Sequence, residues 1–317
     1  MTQSESLRTA FGKSLVRLAD KYSNFVLFDA DVAGGTFTVF FRDKYPERFF
    51  QFGIAEQNMM SAAAGFSITG IVPIVACYGV FASMRAVEQA RNSIAYPDFN
   101  VKVVASHVGI DAGPDGVSHQ ALEDLAIYRS IPNFTVISPA DPCEMLKATE
   151  AIINFKGPVY MRTGRSPIPK INPDYYKFEI GKGTVLRSGS AVTIIATGIM
   201  VSRALEASRI LHAQGIDATV INISTIKPID KELLKEYAYK TGAFVTCEDH
   251  NIHGGLFSAV LEAISERPCP TLPVAVRDTF AESGDPEDLA KKYHIHTVDI
   301  IEAANNAITL KSVTSGG

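Results

Sequence analysis

One acid stands almost alone in a stretch that otherwise avoids charge. Past Arg48 the chain is aromatic at 49–52, turns at Gly53, and then carries Glu56 into Gln57-Asn58-Met59-Met60-Ser61-Ala62-Ala63-Ala64-Gly65-Phe66. The aromatic run predicts a strand, Gly53 permits the turn, and the apolar residues after it predict a helix with Glu56 in its first turn. A helix so poor in charge has no solvent face. Its Ala-Ala-Ala-Gly side is expected against another helix, within the domain or across a subunit interface. A carboxylate at the mouth of such a contact loses solvation, which raises its pKa and lets it hold or share a proton near neutrality. The alternative is an acid placed in a first turn by the helix dipole.

A second group of reactive side chains, His107, Asp111, Asp115 and His119, is spread through Gly109, Gly113, Pro114 and Gly116. That mixture predicts a loop. Loops that keep histidines and aspartates on a rigid α/β scaffold are often where chemistry sits, since histidine exchanges protons near neutral pH and an aspartate accepts a hydroxyl hydrogen bond. Solvent-facing histidines are the alternative.

The elements that must position these residues alternate. Strands are predicted at 24–28, just before Gly53, and at 71–76, 101–105, 134–137 and 158–162. Helices are predicted at 5–22, 80–95, 121–130 and 142–155, the first with Leu7, Phe11, Leu15 and Leu18 on one face. Such alternation predicts a mainly parallel sheet covered on both faces. Ligands of open α/β sheets collect past the carboxyl ends of the strands, where Asp29-Ala30-Asp31 with Gly34-Gly35, and Arg162, are found. Pro167, Pro169, Pro173, Gly181, Gly183 and Gly189 mark 166–189 as a linker. Strands at 191–197, 217–223, 243–248 and 272–276, interleaved with helices at 201–214, 231–240 and 255–266 and closed by two terminal helices, predict a second α/β unit. The expected organisation is two domains, 1–165 and 190–317, each a mainly parallel sheet flanked by helices.

The totals narrow the function. A chain of 317 residues, 46% hydrophobic and 20% charged, can bury two cores. A net charge of −4 without a Lys/Arg block argues against nucleic acid. Cys77, Cys143, Cys247 and Cys269 lack ligand spacing and read as reduced thiols. Residues 1–6 lack the order of a signal peptide and no apolar run reaches membrane-spanning length, so a cytoplasmic protein without a membrane partner is expected.

Gly53-Ile54-Ala55-Glu56-Gln57-Asn58-Met59, His107 with Asp115-Gly116-Val117-Ser118-His119, and Ala121-Leu122-Glu123-Asp124-Leu125 together resemble transketolase. The resemblance runs from about Arg8 to the last helix and covers the pyrimidine-binding and C-terminal domains, the C-terminal half of that enzyme. Deoxyxylulose phosphate synthases and β subunits of 2-oxoacid dehydrogenases share the glutamate helix, and the histidine loop favours transketolase. The resemblance implies a thiamine diphosphate fold in which Glu56 binds the pyrimidine N1′ and promotes the imino tautomer that deprotonates the thiazolium C2. It implies Tyr78 and Phe81 as the aromatic wall of the pyrimidine, or core packing for Phe81, and Asp31 as an acid near the cofactor, or a turn acid beside Gly34-Gly35. His107, Asp115 and His119 would touch the sugar's hydroxyls, with both histidines catalytic. Arg8 and Arg162 would grip a sugar phosphate, with surface ion pairing as the alternative. The loop departs from the family at Pro114 and Val117-Ser118, and Gly34-Gly35 stands where many transketolases place a phosphate-contacting serine.

Transketolases hold the diphosphate and its divalent metal, Mg or Ca, through a Gly-Asp-Gly segment in a preceding domain, and no such segment occurs here. The resemblance therefore implies a split enzyme. An N-terminal subunit would supply the diphosphate domain and most of the metal site, and two copies of each chain would assemble about a two-fold axis. The expected activity is transfer of a two-carbon ketol unit from a ketose phosphate or related ketose to an aldose phosphate. Alternatives are the β subunit of another thiamine diphosphate enzyme, or a non-catalytic regulatory half. Glu248-Asp249-His250-Asn251-Ile252-His253 is expected to be a structural turn, and His294 and His296 to lie at a strand edge.

Overall fold

The computed structural model describes residues 4–315. A seven-stranded sheet forms the first unit, in spatial order Thr225–Lys227, Thr135–Ile137, Val159–Thr163, Lys102–Ser106, Val72–Tyr78, Phe25–Asp29 and Phe49–Gln51. Every neighbouring pair is parallel except the first. Alternation of side chains along a strand sends Val26, Phe28, Val75, Cys77, Val103 and Ala105 into one core. Phe25, Leu27, Ile74, Ala76, Val104 and Met161 go into the other. Both faces are buried, which is why these strands read as continuous apolar runs.

Helix Leu7–Ala19 begins at Ser6, whose Oγ accepts the Thr9 N–H at 3.2 Å. It buries Leu7, Phe11, Leu15 and Leu18 against the second of these cores and helix Pro142–Asn154. Helix Glu56–Ser67 covers the opposite face through Met59, Met60, Ala63 and Ala64.

The second unit has five strands in the order Thr271–Val276, Phe244–Asn251, Val192–Ala196, Ala218–Asn222 and Thr184–Arg187, all parallel but the last. The supposed linker is therefore structured. Thr184–Arg187 edges the second sheet, Pro167–Pro169 pairs with Ser4–Ser6, and Thr225–Lys227 crosses from the second unit to extend the first sheet. The stretch expected as one helix at 80–95 is a π-helical turn Phe81–Arg85, a short turn Val87–Gln89 and a π-helical Ala90–Ala95, broken where Ala86 leaves helical geometry at φ −111° and ψ 16°. Helix Asp124–Ser130 starts later than expected because Ala121 forms a β-bridge with Val108.

Buried carboxylates join the two units. Glu144 accepts hydrogen bonds from the Ala140 N–H, the Tyr176 and Ser224 hydroxyls, each at 2.6 Å, and from Asn222 Nδ2 at 3.1 Å. Burial pushes its pKa up and the hydroxyl and N–H donors pull it back.

Candidate active site

Because strands of the first sheet run parallel, their carboxyl ends share one edge. Tyr78 ends one strand, His107 follows another, and Arg165 lies just beyond a third. Helix Glu56–Ser67 opens at Glu56 with no side-chain cap from Ala55, so the acid sits at the positive end of the helix dipole. Glu56 is only 2% exposed, and Arg85 Nη1 donates to both of its oxygens at 2.9 Å. The same guanidinium lies 4.3 Å from the Phe81 ring centroid. Gln57 Nε2 donates to the Arg85 carbonyl at 3.1 Å, tying the glutamate helix to the π-turn.

Sequence reasoning missed Arg85. The available signal was a lone cation four residues after Phe81 in an apolar run, hidden by reading that run as a regular helix.

Four rings gather beside this pair. Tyr78 lies 4.1 Å from His107 and 5.7 Å from His119, centroid to centroid, and Phe81 lies 5.3 Å from His119. His107 sits in the left-handed region at φ 57° and is buried, with Nδ1 3.0 Å from Ser106 Oγ and Nε2 3.5 Å from Asp115 Oδ2. Burial and then the Arg8 charge hold its pKa down at about 4, so it is neutral at pH 7. His119 is half-buried, with Nδ1 2.9 Å from Ser118 Oγ. Asp115 Oδ2 also lies 3.4 Å from Arg165 Nε.

The second domain holds this loop in place. Asp249 Oδ1 accepts the Ile110 N–H at 2.8 Å and Oδ2 the Asp111 N–H at 3.1 Å. A Cβ at Gly109, φ 67°, would lie 2.2 Å from the Asp249 carboxyl carbon, so only glycine fits. Burial, then Asp111, pushes the Asp249 pKa up to about 6. Its neighbour Glu248 accepts the Leu256 and Phe257 N–H groups at 2.6 and 2.8 Å, capping helix Leu256–Ala263. The two acids are thus structural, but they stand at the end of strand Phe244–Asn251 and not in the expected turn. His294 and His296 lie at no strand edge but in the approach to the last helix, where His296 Nε2 is 2.5 Å from Glu287 Oε1.

Two assignments change. Arg162 does not present its guanidinium to a ligand. It is 4% exposed, Nε donates to Asp124 Oδ2 at 2.7 Å, Nη1 donates to the Asp249 carbonyl at 2.9 Å, and Nη2 to Asp124 Oδ1. The arginine facing Asp115 is Arg165, three residues on. Asp31 is an exposed turn residue at φ 64° whose N–H donates to Gln51 Oε1 at 2.9 Å. The buried acid there is Asp29, which accepts Gln51 Nε2 at 2.9 Å and the Val32 N–H at 3.0 Å.

Arg8 does belong to the cluster. Nη1 donates to the Gly35 carbonyl at 2.8 Å and the guanidinium lies 5.0 Å from the Phe37 ring centroid. Arg8 Nε and Arg165 Nε are both buried without a hydrogen-bond partner among the described residues. Burial, then Arg165, lowers the Arg8 pKa. An unused guanidinium donor beside a second arginine is chemistry suited to an anion.

A buried acid at a helix start, an aromatic shelf and a neutral histidine fit one side of an aminopyrimidine-binding cleft. No group of three or more His, Cys, Asp or Glu among the described residues is placed to hold a metal ion, and no helix among them is long and apolar enough to cross a membrane.

The class this defines matches the known families. The model of the transketolase pyrimidine-binding domain matches residues 3–170 and that of the transketolase C-terminal domain matches 181–300. The chain belongs to the transketolase family and corresponds to its C-terminal half. It is 44% identical over 293 residues to a protein of Methanocaldococcus jannaschii described as a transketolase C-terminal section, covering 91% of this chain and 92% of that one. It is 39% identical over 307 residues to a 6-deoxy-6-sulfo-D-fructose transketolase subunit of Clostridium sp., covering 96% and 95%. A split-gene transketolase, solved as an inactive β4 tetramer, superposes with a TM-score of 0.90 at 44% identity, covering 98% of this chain and all of that one.

Proposed function

We propose that this chain is one subunit of a two-subunit thiamine diphosphate-dependent ketol transferase acting on anionic sugars. The observation that carries the reading is the buried Glu56 carboxylate beside the shelf of Tyr78, Phe81, His107 and His119. When bound, thiamine diphosphate supplies an electron sink for the two-carbon unit. Glu56 holds and returns a proton at the pyrimidine N1′, while Phe81 and Tyr78 offer apolar faces to that ring. His107, kept neutral by its surroundings, hydrogen-bonds sugar hydroxyls as donor or acceptor, and His119 and Asp115 take adjoining oxygens. Arg8 with Arg165, in place of Arg162, receives the terminal phosphate or sulfonate.

The second subunit supplies the diphosphate-binding domain and most of the Mg or Ca site, and two copies of each chain form a cytoplasmic heterotetramer. Ile54 and Ile68, at the two ends of the glutamate helix, are 75% and 69% exposed, and Gly65 faces open space. An apolar, charge-poor edge of this kind supports its burial in self-association or against the partner.

The purified chain should bind thiamine diphosphate weakly and transfer no ketol unit until the partner is added. Glu56→Gln should then keep the fold and lose turnover. Robust transfer by the single chain would refute the split-site reading, and full activity of Glu56→Gln would refute the role of the acid.

A further inference from the structure

Gly35 lies in the short helix Ala33–Thr36, and the edge of the Tyr78 ring is pressed onto it. A Cβ at position 35 would stand 2.0 Å from the Tyr78 hydroxyl oxygen and 2.9 Å from Cζ, so any side chain there evicts the tyrosine from its seat. The carbonyl of the same glycine anchors Arg8 Nη1 at 2.8 Å, and Arg8 Nε is left buried without a partner among the described residues. On its other side the Tyr78 ring stands 4.1 Å from His107. The hydroxyl is therefore parked between the arginine and the histidine, at the sugar end of the shelf. Burial, then the Asp115 charge, raises the phenol pKa. A phenol that stays protonated there has a hydrogen to donate and no acceptor among the described residues.

We propose that the Tyr78 hydroxyl is a specificity-determining sugar contact, donating to a chain hydroxyl oxygen between the carbons held by the histidines and the anion held by Arg8, with Gly35 required to seat it. This rests on the ketol-transfer reading above and adds a second task to a residue whose ring faces the cofactor. The substrate class is a polyhydroxylated ketose with a terminal anion. An analogue lacking the chain hydroxyl leaves the phenol unpaired and is discriminated against.

The test uses Tyr78→Phe and Gly35→Ala in this chain, reassembled with the subunit that completes the site. Thiamine diphosphate affinity is measured by calorimetry and KM is measured for a ketose phosphate. Tyr78→Phe should leave cofactor affinity within about twofold and raise KM about tenfold, the worth of one hydrogen bond. Gly35→Ala should weaken both, because it moves the ring. An unchanged KM in Tyr78→Phe overturns the proposal, as does a loss of cofactor affinity equal to the rise in KM. If the wild-type complex binds cofactor but transfers no ketol unit, the functional reading fails on its own. Calorimetric binding of the ketose phosphate then decides: about tenfold weaker binding in Tyr78→Phe supports the sugar contact, and equal binding rejects it.

Discussion

Removing either half of the Glu56–Arg85 pair abolishes the same ion pair, yet the two losses should differ. Glu56 is 2% exposed, while the Arg85 side chain is 45% exposed. In Arg85→Met the carboxylate stays desolvated with no cation to balance it. Breaking a fully buried pair in this way costs about 3–5 kcal/mol, and partial exposure of the arginine screens that to about 2 kcal/mol. The lost stacking on Phe81 adds about 0.5 kcal/mol. In Glu56→Gln the half-exposed guanidinium is solvated by water while Nη1 can still donate to the amide oxygen, a cost below about 1 kcal/mol. At roughly 2 °C per kcal/mol for a chain of this size, Arg85→Met should lower the melting temperature of the isolated chain by about 5 °C and Glu56→Gln by no more than about 2 °C. The double variant should recover most of the Arg85→Met loss, since no uncompensated charge remains. Thermal unfolding of the three variants reads this out. Arg85→Met being no worse than Glu56→Gln, or additivity in the double variant, would refute the claim that a dry carboxylate depends on this arginine.

The corrected arginine assignment separates stability from binding. Arg162→Met should cost about 3–5 kcal/mol in urea unfolding, because Asp124 is left buried and charged; Arg165→Met should leave the midpoint nearly unchanged while raising KM for an anionic sugar roughly 10–100-fold. Equal effects on both readouts would return the anion site to Arg162. His107 titrates near 4 in the folded chain against about 6.5 when unfolded, so the unfolded state binds the extra proton between those values. Its contribution to stability is present above about pH 6.5 and lost as pH falls to 4. Unfolding of His107→Gln across that window should show a shallower loss on acidification than wild type, and parallel curves would exclude it. Asp249, held near 6 against an ordinary value of about 4, has the opposite sign: stability falls as pH rises from about 4 to 6, and Asp249→Asn should remove that slope while lowering kcat/KM through a loosened histidine loop.

How much of this was legible depends on how local the cause is. The alternation of strands with helices, and the Leu7, Phe11, Leu15 and Leu18 face, follow from side-chain periodicity within one element. Glu56 at a helix start and the histidines in a loop follow from short-range composition. Arg162 misled because its position, at the carboxyl end of a parallel strand, is where ligand-binding residues gather; nothing local announces that Asp124 and the Asp249 carbonyl will claim it from other elements. Arg85 was missed because a π-turn has the same composition as an α-helix and differs only in where it aims a side chain. The 166–189 segment reads as a linker from its prolines and glycines, yet Pro167–Pro169 and Thr184–Arg187 pair at sheet edges, where a proline's missing N–H costs no ladder bond.

Among the described residues, no second-domain ring or cation stacks on the aromatic shelf, yet the site is built against that domain. Asp249 grips the backbone at Ile110 and Asp111, and Gln120 Nε2 reaches the Glu282 carbonyl at 2.9 Å, so both flanks of the His107–His119 loop are tied to the far unit. Asp111 in turn accepts the Arg165 N–H at 2.6 Å and the Ser166 N–H at 3.0 Å, passing the restraint to the arginine facing Asp115. A loop rich in glycine loses more entropy on ordering than one of ordinary composition, and contacts from the second domain help to offset that loss. The second domain supplies those contacts through a buried carboxylate whose desolvation pushes its pKa upward. Ionised, that carboxylate accepts N–H groups from two consecutive residues more strongly, so the loop that carries the histidines is anchored by a charge the fold holds at some cost. Severing the two domains would therefore abolish sugar recognition before it unfolded either sheet.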